Sequence, residues 1–141
     1  MDALTFLSEH VALFAGVPAD ELASLAVNST LLKLAPGQTA VRAGFTLDAL
    51  YVIATGTAEV HAKVPNKGVL KVGDLRPGEV FGETSILDQT VASATVKAGE
   101  GGAIVLVVPE EPFHALIAAN AAFGERVRAL VAARRQPPPK A

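Results

Sequence analysis

Between Leu31 and Val108 the sequence passes through seven short β-favouring runs, LLKLA, TAVRA, LYVIATG, TAEVHAKV, VLKVGDL, SATVKA and AIVLVV. Turn residues separate them. Pro36-Gly37 and Pro77-Gly78 suit turns that need a positive φ, and Gly44 and Gly56 stand where strands are expected to end. Short strands at regular spacing predict a β-roll or barrel. KAGEGGAIV carries three glycines but precedes a strand, whereas phosphate-cradling glycine loops follow one, so it reads as a hairpin turn.

Helical patterns flank this β region. Leu4, Leu7, Val11 and Leu13 recur at helical spacing, and VPADELASLA places a proline and then acidic residues at the start of a second short helix. After Pro109, one stripe holds Phe113, Leu116 and Ile117. A second holds Phe123, Val127, Leu130 and Val131, with Asn120 placed to cap its start. The expected fold is mainly β, a jelly-roll-like β-roll with N-terminal helices and two C-terminal helices.

A length of 141 residues suits one domain. We place that domain at residues 1–135 and read 136–141, within the proline-rich RRQPPPKA, as a flexible tail. There is no cysteine, hence no disulfide and no thiolate metal site. A net charge of −2 opposes general attraction to DNA. No apolar run is long enough to cross a bilayer as a helix, and the N-terminus lacks a secretory pattern, so no membrane association and a cytoplasmic location are expected. His10, His61 and His114 fall in three different elements, without metal-ligand spacing or a nucleophile elbow, so no catalytic residue, metal or cofactor is assigned. The basic residues Arg126, Arg128, Arg134 and Arg135 lie toward a helix C-terminus, where cations suit the dipole.

One stretch does suggest a ligand. Residues 79–98, EVFGETSILDQTVASATVKA, leave a strand through Phe81-Gly82-Glu83, make a short helical turn and return to a strand. With LFAGVPADELASLA, APGQ, GFTLDALYVIATGTAEV and RPGEVFGE before it, this stretch resembles the cyclic-nucleotide-binding domain of catabolite-activator regulators, kinase regulatory subunits and gated channels. The resemblance covers roughly Leu13 to Ala133, and the order and spacing of the motifs carry it.

The resemblance implies that Gly82, Glu83, Thr84, Ser85, Ala92, Ser93 and Thr95 form the phosphate-binding cassette. Gly82 permits the turn, and the first amides of the following helix can face an anion. Glu83 would accept from a ribose hydroxyl, and Ser93 would lie near the phosphate. A glutamate opening a helix and a serine beside a turn are also commonplace without a ligand. Val72 and Leu75 would face the base, with the last helix around Val127 to Val131 as a lid, although each of these also suits the core of a roll.

The cassette departs from the family at one position. Ala92 stands where the family has the arginine that pairs with the cyclic phosphate. Arginine holds phosphate through two directed, charge-assisted hydrogen bonds, each worth about 1.5–3 kcal/mol when desolvated. Losing one weakens binding roughly tenfold, and losing both about a hundredfold. Lys97 is expected to point away from the Ala92 face, while Lys71, Arg42, Arg134 and Arg135 are the cations that would have to substitute.

The expectation is therefore a stand-alone, non-catalytic regulatory module with a degenerate nucleotide site, acting mainly through a protein partner or larger complex. The alternative is a sensor switch with altered binding of cAMP, cGMP or another small ligand. Phe123, Leu130 and Val131 offer either an intramolecular lid or a homodimer seam along the last helix.

Overall fold

Six antiparallel strands form a single sheet: β1 (Thr30–Leu34), β2 (Thr39–Val41), β3 (Ala49–Val64), β4 (Gly68–Leu75), β5 (Val80–Phe81) and β6 (Thr95–Pro109). The computed structural model describes residues 2–135, the last by its backbone alone, so the segment read as a tail, 136–141, lies outside the described residues. The strand path is β1-β6-β3-β4, with β2 added to β6 and β5 to β3.

Two pairs of predicted strands are each a single long strand. LYVIATG and TAEVHAKV are both within β3, and SATVKA and AIVLVV both lie largely within β6. KAGEGGAIV is not a hairpin, because both halves of β6 pair with β3 in the same antiparallel sense. The register jumps from Gly56↔Ala103 to Ala58↔Ala98, so the glycine-rich residues 99–102 bulge out opposite Thr57. Gly56 (φ +78°) and Gly102 (φ +76°) face each other at this corner, and a Cβ on Gly56 would lie 2.3 Å from the Gly102 carbonyl oxygen. The glycines read as strand ends bend two continuous strands together and so curl the sheet into a roll.

Curling gives the central strands two buried faces. Leu50, Val52, Leu106 and Val108 pack toward the helices, while Ile53 and Val105 pack inside the roll with Leu34, Val41, Phe81 and Val96. The strand period of two sends neighbours to opposite cores, which is why these segments read as nearly unbroken apolar runs.

The helices are α1 (Ala3–His10), α2 (Ala19–Val27), α3 (Glu83–Asp88), α4 (Glu110–Ala119) and α5 (Ala121–Arg135). The Asp2 side chain caps α1, and the hydrogen bond from the Thr5 backbone holds the Asp2 carboxyl below its ordinary pKa. The helical spacing through Leu13 does not continue α1. Val11 is extended, and a 3-10 turn over Ala12–Phe14 follows. Asn120 caps α5 as expected, its Oδ1 accepting from Phe123 N at 3.0 Å. The Phe123 ring stacks on Phe14 at 5.2 Å and meets Phe113 edge-on at 5.8 Å. Arg126 of α5 donates to the carbonyls of Leu13 and Ala15. The last helix is thus fastened across the N-terminal segment, and Phe123 and Val131, two residues of the seam considered for a homodimer, are spent in the chain's own core.

Gly56→Ala is expected to destabilise the fold by about 2–4 kcal/mol, because the methyl requires a strained backbone and meets a carbonyl. In Gly101→Ala the new methyl meets nothing within 4 Å, so a change within about 0.5 kcal/mol is expected. Urea unfolding compares the two, and equal midpoints would contradict this account of the corner.

Candidate functional site

The site is built where β5 gives way to α3. Val80 and Phe81 pair with Val52 and Tyr51 of β3, and the Tyr51 ring stacks on Phe81 at 5.0 Å. Burial, with a further contribution from Asp48, raises the Tyr51 phenol above its ordinary pKa. Gly82 then turns the chain at φ +91°, where a Cβ would come within 3.2 Å of the Ala49 carbonyl oxygen. This turn carries Glu83 inward, to 1% exposure, with Ser85 close behind at 6%.

The return path is fixed by backbone hydrogen bonds. Gln89 ends α3 at φ +54°, Ala92 N donates to the Phe45 carbonyl at 2.9 Å, and Gly44 N donates to the Ala92 carbonyl at 2.8 Å. These bonds hold the Ala92 methyl in the roll core, 6% exposed.

Between the cassette and the β3–β4 hairpin lies a cavity of about 970 Å³. Of the residues singled out from the sequence, Gly82, Glu83, Thr84, Ser85, Ala92 and Ser93 line it, as do Val72 and Leu75. Thr95 does not, because its hydroxyl accepts from Ala43 N at 3.0 Å and braces the neighbouring loop. Val127 and Val131, expected as the lid, lie outside the lining and are buried in the helix-side core.

The residue that α5 does bring to the cavity is Arg134. Its Nη1 donates to Glu83 Oε1 at 2.5 Å, joining the last turn of α5 to the first residue of α3. The Glu83 side chain is 2% exposed and that of Arg134 33%. Glu83 Oε2 has no hydrogen-bond partner among the described residues. The sequence offered Arg134 as one of several substitute cations, and its place on one helical stripe with positions 127 and 131 is the signal that singles it out.

Among the other cations considered, Lys71 pairs with Asp74 at 2.9 Å, a hydrogen bond that raises the lysine pKa, and neither Arg42 nor Lys97 lines the cavity. The side chain of Arg135 lies outside the described residues. Lys63, near the end of β3, does line the cavity and was missed, because only the pairing of β3 with β4 brings it there. Among the described residues the charged lining is thus Lys63 and Arg134 with Asp74, Glu79 and Glu83.

The three histidines stand apart from one another in three different elements. His61 contacts Glu59 at 3.1 Å, His10 stacks against Phe6, and His114 is tilted against Phe113. Among the described residues there is no group of three metal-ligating side chains, and no helix is long and apolar enough to cross a membrane.

Comparison with known proteins agrees with this geometry. The family described as the cyclic nucleotide-binding domain matches residues 31–120. A cGMP-dependent protein kinase of Caenorhabditis briggsae is 28% identical over 96% of this chain, which spans 19% of the kinase. The Thermus thermophilus catabolite activator protein superposes with a TM-score of 0.74 at 27% identity, covering 86% of this chain and 57% of that one. The regulatory subunit of a cAMP-independent protein kinase A from Trypanosoma cruzi, bound to guanosine, superposes with a TM-score of 0.80 at 23% identity, covering 95% of this chain and 45% of that one.

Removing one member of a buried ion pair leaves the other charge uncompensated, a cost reduced here because Arg134 is partly solvated. Arg134→Gln is therefore expected to cost about 1–3 kcal/mol, and Arg134→Gln with Glu83→Gln less than the sum of the singles. Urea denaturation of the four proteins in the cycle checks this, and strict additivity would dissolve the pair as an energetic unit.

Proposed function

This chain belongs to the cyclic nucleotide-binding domain family, and on that premise we propose that it is a non-catalytic, cytoplasmic regulatory module whose nucleotide site is degenerate and which acts mainly through protein contact. The observation that carries this reading is Ala92. A buried methyl occupies the place where the family resemblance puts the phosphate-binding arginine, and among the described residues the cavity lining holds two cations, Lys63 and Arg134, and three carboxylates, of which Asp74 is paired with Lys71. A cyclic phosphodiester brings a charge that such a lining does not neutralise.

Two features support a role in contact. The edge strands leave apolar side chains in solvent, Leu31 on β1 and Val69, Leu70 and Val72 on β4. Such edges are surfaces on which a partner can pair or pack. The Arg134–Glu83 pair also ties α5 to the cassette, so a change at the cavity and a movement of the last helix would be coupled.

A second reading, a small-ligand sensor, is favoured by the cavity itself. A degenerate site kept only for its outer surface needs neither a half-open cavity of about 970 Å³ nor a buried carboxylate oxygen without a partner among the described residues. The Trypanosoma cruzi neighbour is bound to guanosine, a nucleoside with no phosphate, which is a precedent within the fold.

Calorimetric titration of the full chain with cAMP and cGMP tests the degenerate site. The unaltered protein is expected to show no micromolar binding, and Ala92→Arg to gain at least about tenfold in affinity. Tight binding by the unaltered chain would sink the proposal.

A further inference from the structure

A second cavity lies beside the cassette, an open cleft of about 270 Å³ where α5 meets the segment after α1 and the turn between β4 and β5. Its lining shares Glu79 and Arg134 with the cassette cavity and is otherwise separate from it. The cleft plays no part in either function proposed above. Arg126, Leu130 and Arg134 line it from one face of α5, each a little over one helical turn beyond the last. Ala12, Leu13 and Val80 join Leu130 in an apolar wall.

Backbone contacts fix one side of the cleft. Gly78 stands at φ +89°, where a Cβ would lie 2.3 Å from the His10 carbonyl oxygen. Gly78 N donates to the Ile53 carbonyl at 2.8 Å, and Ile53 N donates to the Glu79 carbonyl at 2.9 Å. A wall held in this way is formed before any ligand arrives, which lowers the ordering cost of binding.

The charges select the ligand. Arg126 Nη1 donates to the carbonyls of Leu13 and Ala15, both neutral partners, and Arg126 forms no ion pair among the described residues. Its charge is therefore held at the cleft without a counter-charge, and its Nη2 and Nε still carry donors. Arg134 adds a second guanidinium, whose Nη1 is on Glu83. Glu79 is the one carboxylate of the lining among the described residues, and its Oε1 accepts from Arg76 N at 2.9 Å. An uncharged apolar molecule would use the wall and leave the Arg126 charge unmet. Inorganic phosphate would meet the charge and leave the wall in water. We propose that the cleft binds a small organic carboxylate, its carboxyl group on the Arg126 guanidinium and its hydrocarbon body against Leu13, Val80 and Leu130. Such a ligand touches α5 and the segment after α1 at once, and so holds the last helix in place.

The test titrates the unaltered full chain with benzoate and hexanoate, with benzamide and hexanamide, and with inorganic phosphate, read by calorimetry and by amide NMR shifts. At least one carboxylate is expected to bind at least about tenfold more tightly than its amide and than phosphate. The shifts are expected at Ala12, Leu13 and Leu130, away from Thr84 and Ser93 of the cassette. Arg126→Gln, first shown by urea unfolding to be folded, is expected to weaken that carboxylate about tenfold. If the variant does not fold, the comparison of acid with amide still decides the question on the native protein. Equal binding of acid and amide would overturn the role of Arg126, and phosphate binding as tightly as the acids would overturn that of the apolar wall. Shifts confined to the cassette, or no binding of any compound at about 10 mM, would overturn the site itself.

Discussion

A carboxylate taken almost wholly out of water must find a partner, and that constraint organises this molecule. Glu83 is placed inside the roll by a left-handed turn at Gly82, and its charge is met by Arg134, 51 residues further along the chain. For the two to meet, α5 must run along the helix-side core in one register. Phe123, Val127 and Val131 bury that face, and Arg126 anchors the helix to the turn after α1. The ion pair therefore closes a circuit through most of the fold, from the N-terminal segment through the last helix to the cassette. It need not add net stability over an apolar contact of similar size. It does make the geometry of the cassette depend on where α5 lies.

The same pair bears on the surroundings of Ala92. By resemblance, Ala92 aligns with the family's phosphate-binding arginine, and its methyl lies in the roll core. Arg134 restores a guanidinium to the cavity wall but places it on the glutamate. The cavity has volume, an apolar wall and a buried acceptor, with Lys63 in its lining and the Arg134 guanidinium bonded to Glu83. Both proposed readings of function, a small ligand in the cavity and regulation by contact, start from that combination.

How the sheet curls follows a different rule from how its strands form. Apolar runs and turn residues near 56 and 102 mark strand boundaries in a linear reading, because glycine at positive φ ordinarily ends a strand. Here the two glycines lie opposite each other across β3 and β6, and the close approach of Gly56 to the Gly102 carbonyl lets both strands bend without breaking. A reading along one strand has no access to that coincidence. The hairpin expected at KAGEGGAIV failed for this reason, whereas the helices flanking the roll were legible from their spacing and the Asn120 cap.

The sequence alone determined what is periodic or local. It specified a β-roll between helical segments, and it identified the glycine turn that delivers Glu83. Those properties depend on side-chain alternation and backbone freedom within a few residues of one another. Only the tertiary structure decided which charges share the cavity. It brought in Arg134 and Lys63, turned Thr95 to brace a loop, and sent Val127 and Val131 into the helix-side core. The physical reason is that a charge partner is selected by distance in space, and that distance is set by how α5 and the β3–β4 hairpin pack around the roll.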